Sequence, residues 1–172
     1  LSKKTISSVR QKYLDSLSKL NTPKKIITDK LPLNFRYIGF ILSAFPEAKI
    51  VHVKRDAMAT CWSIFRHSFT NNGNGYAYNQ DDLARYYGLY SELMEFWHEL
   101  YPNQIYDLGY ESLTTNQEEE TQKLLEYCEL EWDQDCLNFH TNERPVQTAS
   151  LMQVRKKMYQ GSSEVWKQYS VH

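Results

Sequence analysis

The chain has 172 residues, enough for one domain with its own core and short for two. Twenty Lys and Arg stand against twenty-one Asp and Glu, a net charge of −1, which argues against a nucleic-acid groove. Cys61, Cys128 and Cys136 make no CxxC pair, so a disulfide framework or zinc knuckle is disfavoured and a reducing, cytoplasmic setting fits.

Residues 1–20 carry Ile6, Val9, Tyr13, Leu14, Leu17 and Leu20 at a helical period, which predicts a packing helix. The chain opens on Leu1 with no signal-peptide pattern, as a fragment of a longer protein would, and no apolar run is long enough to span a membrane. After the break at Asn21-Thr22-Pro23, residues 25–28 (KIIT) predict a short buried strand. Residues 29–35 then read as a strand-to-helix turn, and 36–45 as a helix stopped by Pro46.

The centre of the sequence is KIVHVKRDAMATCWSIFRHSF, residues 49–69. Ile50, Val51 and Val53 predict a strand, and Asp56 is placed to cap a helix running through Trp62 and Phe65. Arg55 stands at the joint, where an anion would meet both a planar guanidinium and free helix N–H groups. Ser63 lies eight positions on, about two turns at roughly 3.6 residues per turn, so one anion could be gripped between them.

Residues 71–79 (NNGNGYAYN) read as a loop, either substrate-facing or an ordinary surface connection. A long amphipathic helix is predicted over 81–100, a strand over 104–108, and a helix over 118–130. Residues 132–145 read as irregular, and the chain closes with a loop and a terminal helix over 161–169. Most of the thirteen tyrosines are expected to pack rather than bind. His52, His67, His98 and His140 show no ligand spacing and read as structural or exposed; no metal site is expected.

Strands separated by helices predict an α/β sheet, mainly parallel, whose ligands gather beyond the carboxyl ends of the strands. Lys30, Arg55 and Tyr110 each follow a predicted strand and would share that rim.

The segments DKLPLNFRYIGFI, FPEAKIVHVKRDAMATCWSIFRHSF, YESL and TASLMQVRKKMYQGSSEVWKQY resemble the PAPS-dependent sulfotransferases. The match is nearest to the bacterial branch often fused to tetratricopeptide repeats, itself similar to tyrosylprotein sulfotransferases. The resemblance implies a single partial domain over 1–172 with a three-layer, P-loop-NTPase-like α/β fold truncated at its N-terminus. It implies a sulfuryl transfer from PAPS to a hydroxyl or amine, releasing PAP, without a metal. By the resemblance, Arg55 and Ser63 hold the 3′-phosphate, Tyr110 contacts the nucleotide, and the loop from Gln153 through Gly161 closes over it. Lys30 would stabilise charge near the transferred group, and Ser150 would share that task.

The family's GxPRSGTT loop and the general base following it would lie upstream of Leu1. Val165 and Gln160 stand where relatives often carry basic residues. The alternative is a non-catalytic nucleotide-binding or oligomerisation module that has lost its phosphate loop. A nucleotide kinase is disfavoured, since no GxxxxGK[ST] motif is present. The acceptor's identity and the oligomeric state have no sequence signature here.

Overall fold

The computed structural model describes residues 2–20, 22–69, 73–142 and 155–169. Helix α1 (Lys3–Ser18) begins where the Ser2 hydroxyl accepts from the Thr5 N–H at 3.2 Å. None of its residues is buried, so edge contacts hold it. Arg10 donates to the Ala44 carbonyl at 2.8 Å and to the Glu47 carboxylate at 2.5 and 3.0 Å, and lies over the Phe45 ring. Tyr13 meets that ring edge-on at 5.2 Å.

A 3₁₀ turn at Pro32–Tyr37 leads into α2 (Ile38–Ala44), so the helix predicted over 36–45 is divided between two geometries. Proline opens the turn, at a position where its missing N–H leaves nothing unpaired. There follow β1 (Ile50–Lys54), α3 (Ala57–Phe65), α4 (Gln80–Leu100), β2 (Ile105–Gly109), α5 (Tyr110–Thr115) and α6 (Gln117–Tyr127), with 3₁₀ helices at Gly75–Tyr78, Gln134–Thr141 and Val165–Tyr169.

The fold is thus mixed α/β around a small sheet in which β1 and β2 run parallel, with α3 and α4 in the crossover. Ile50 stands opposite Ile105, His52 opposite Asp107, and Lys54 opposite Gly109. Side chains alternate along a strand, so Ile50, His52, Ile105 and Asp107 share one face and Val51, Val53, Tyr106 and Leu108 the other. On the first face Ile38, Leu42, Met94 and Ile105 form the core, ringed by Phe35, Ile50, Tyr90, Trp97 and Tyr101. On the second, Tyr106 stacks on Tyr127 of α6 with centroids 5.0 Å apart.

Helix α2 approaches α4 closely because residue 39 is glycine. A Cβ there would sit 2.7 Å from the Trp97 ring, and that ring is pinned by its Nε1–H donating to the Phe35 carbonyl at 2.8 Å.

One strand expectation fails. Residues 25–28 form no strand; they belong to an irregular, exposed segment in which Ile26 is 60% exposed. A β-branched run becomes a strand only where a neighbour takes its N–H and C=O groups, and among the described residues no strand lies beside this one. No described helix is long and apolar enough to cross a membrane.

Candidate anion-binding site

Two parallel strands that end in register bring the residues after them to one edge. The backbone leaving β1 passes through Arg55 into α3, capped by Asp56, whose carboxylate accepts from the Ala59 N–H at 2.8 Å. The backbone leaving β2 passes directly into Tyr110 and Glu111, the first turn of α5. The Arg55 guanidinium carbon consequently lies 5.0 Å from the centroid of the Tyr110 ring, a cation–π arrangement.

A third element completes the cluster. Gly161 adopts φ +85°, a left-handed conformation that a side chain would strain, at the turn into Ser162 and Ser163. Arg55 Nε donates to the Ser163 hydroxyl at 3.0 Å, and Nη2 to the Ser162 carbonyl at 2.6 Å. The Tyr110 and Ser162 hydroxyls are 2.8 Å apart. The buried Ser163 hydroxyl donates to Glu111, whose carboxylate also accepts from the Asp56 N–H at 3.2 Å. Burial pushes the Glu111 carboxyl up, but the Ser163 hydroxyl, the backbone N–H groups and the Arg55 charge outweigh it and hold its pKa below the ordinary value.

A cleft of about 450 Å³ opens at this carboxyl edge, with Lys54, Arg55, Asp56, Tyr87, Asp107 and Glu111 in its walls. A second cleft, of about 310 Å³, lies at the opposite end of the strands, near Lys49 and Gln104. There Lys49 is already paired with Glu129 at 2.5 Å, and the carboxyl-edge cleft is the better candidate for a ligand.

The structure brings together Arg55, Tyr110 and the Gly161 turn. Ser63 is exposed on α3, and no hydrogen bond joins it to Arg55 among the described residues. Lys30 is exposed in the irregular segment before the Pro32 turn, beside Asp29, which accepts from Tyr13 at 2.8 Å. Ser150 and Gln153 lie outside the described residues. Lys167, a basic residue close to Val165, is ion-paired with Glu164.

Sequence reasoning missed Glu111, Ser162 and Ser163. The signal available was adjacency: Glu111 follows Tyr110 in YESL, and the two serines follow Gly161. The segment after them returns along α3, where Tyr169 lies 4.7 Å from Trp62 and Arg66 stands 6.0 Å from both rings.

A parallel strand pair that presents an arginine at its carboxyl edge makes a candidate anion-binding domain of the α/β class. The sequence profile of the sulfotransferase family matches residues 3–134, and the chain belongs to that family. It is 40% identical over 166 residues to an uncharacterized protein of Aquifex aeolicus (strain VF5), covering 95% of this chain and 22% of that protein. It is 27% identical over 143 residues to a protein-tyrosine sulfotransferase of Drosophila melanogaster, covering 77% of this chain and 26% of that one. The chain thus spans about a quarter or less of the length of these relatives.

Proposed function

We propose that this chain is the 3′-phosphate-gripping part of a sulfotransferase that takes PAPS as donor and a hydroxyl or amine as acceptor. The observation that carries the reading is Arg55, half-buried between the Tyr110 ring and the Gly161 turn at the carboxyl edge of the sheet. The donor set suits a phosphate. Among the described residues Nη1 of Arg55 has no hydrogen-bond partner, and the Ser162 and Tyr110 hydroxyls, 2.8 Å apart, belong to residues that both contact this guanidinium. A planar fork anchors such a group by geometry as well as charge. By the family resemblance Ser63 shares the 3′-phosphate, and Gln153 and Gly161 contact the nucleotide.

The chemical step is an in-line displacement. A bond forms from acceptor to sulfur, the bridging S–O bond breaks, and PAP carries away the electron pair while the acceptor's proton passes to a base. Lys30 supports the bridging oxygen as charge grows there, and Ser150 shares that task. The transfer requires in addition a base and a 5′-phosphosulfate loop of the family's GxPRSGTT form, which would complete a three-layer, P-loop-like fold with this domain. Three free cysteines accord with a cytoplasmic setting.

The rival, a non-catalytic nucleotide-binding or oligomerisation module, draws on one observation: Arg55 already closes on its own chain, and no hydrogen bond joins Ser63 to it among the described residues. Calorimetry with PAP tests the first reading. Arg55→Ala should weaken binding by about 1.5–3 kcal/mol, the range for a hydrogen bond to a charged group; unchanged affinity removes Arg55 from the site. A protein that carries this chain together with a GxPRSGTT-type loop should then transfer labelled sulfate from PAPS, whereas PAP binding without transfer supports the module.

A further inference from the structure

On the face of the sheet that meets α4, three side chains from three elements converge. The register sets His52 of β1 opposite Asp107 of β2, with Nδ1 of His52 2.7 Å from Oδ1 of Asp107. His98, near the end of α4, brings Nε2 to 3.3 Å from the same carboxylate oxygen. One ligand atom from each residue lies within 4.8 Å of the others. We propose that His52, His98 and Asp107 bind one divalent first-row transition ion of the Zn²⁺ class.

The geometry asks for little movement. Tetrahedral ligands at about 2.0–2.1 Å from zinc stand roughly 3.3 Å apart. The His98–Asp107 separation already has that value, the His52–Asp107 contact must open as the ion enters between them, and the two imidazole nitrogens, within 4.8 Å of each other, must settle to the same spacing. Two imidazoles and one carboxylate favour a borderline ion over Mg²⁺ or Ca²⁺, which prefer all-oxygen cages.

The surroundings match a metal site too. His52 Nε2 lies 2.5 Å from the Tyr90 hydroxyl. With Nδ1 on an ion, Nε2 carries the proton and donates to that oxygen, the outer-shell bond that orients ligating histidines. Tyr90 and His98 lie two turns apart on α4, so the helix would supply both a ligand and its support. Only Asp107 also lines the carboxyl-edge cleft, which gives an ion a route in and leaves room for a water on the fourth position.

The test uses the 172-residue chain stripped with chelator and titrated with ZnCl₂ by calorimetry. One ion per chain is expected, with at least tenfold weaker binding in His98→Ala and Asp107→Asn and none of that loss in His67→Ala. Failure of the wild type to bind, or binding unchanged in both ligand variants, overturns the site. Should a variant misfold, CoCl₂ added to the wild type decides. Nitrogen and oxygen ligands give visible d–d bands alone, whereas a sulfur-to-cobalt charge-transfer band would assign the ion to Cys61, Cys128 or Cys136 instead.

Discussion

Arg55 and Glu111 illustrate how one edge of a small sheet can hold opposite charges without cancelling them. Glu111 is held ionised through the Ser163 hydroxyl and the Asp56 N–H, and Ser163 in turn receives the Arg55 Nε–H, so the carboxylate orients the turn that faces the guanidinium. A carboxyl whose folded pKa lies below its unfolded value stabilises the fold above the ordinary carboxylate range and ceases to do so as pH falls through the folded pKa. Urea midpoints measured at about pH 5 and about pH 3 should therefore fall less for Glu111→Gln than for the wild type; parallel declines would show that Glu111 has no part in the acid transition. Lys30 belongs to a different prediction. In a protein that carries this chain and transfers sulfate from PAPS, Lys30→Ala should lower turnover far more than PAP affinity, and the reverse pattern would make it a binding residue.

At the scale of elements, α4 carries the structure. It covers the core through Met94, pins the turn before α2 through Trp97, and brings Tyr90 and His98 over the sheet. Its start is encoded locally: the Asn79 side chain accepts from the Asp81 and Asp82 N–H groups at 2.9 and 3.0 Å, and Asp81 and Asp82 complement the helix dipole. The packing of α2 on α4 depends on Gly39. Gly39→Ala improves helix propensity yet drives a methyl into a ring that cannot retreat without giving up its bond to Phe35. The net effect should be a loss of about 1–3 kcal/mol in urea denaturation, as for an overpacked core; a stabilised variant would mean the helices separate freely.

For the whole molecule, a ligand that binds the folded state shifts unfolding by mass action. PAP at one hundred times its dissociation constant should add about 2.7 kcal/mol and raise the melting temperature by several degrees. A flat response would count against nucleotide binding by this chain. The elements whose signals act within four or five residues were legible beforehand: the α1 period, the Asp56 cap, the β-branched β1, and the apolar stripe of α4. So was Arg55 at the strand–helix joint, because strand end and cap are adjacent in sequence. The stretch at 25–28 shows the limit, since a strand needs a neighbour that local residues cannot supply. Distance along the chain hid the rest. The Arg55–Ser163 bond joins residues 108 positions apart and needs the C-terminal segment to return along α3, while His52 meets Asp107 across 55 positions only through the β1–β2 register. The sequence by itself thus determined the local signals that start and fill β1, α3 and α4; the tertiary structure alone decided which strands find a neighbour and which side chains meet, because contact between distant residues depends on how the elements pack.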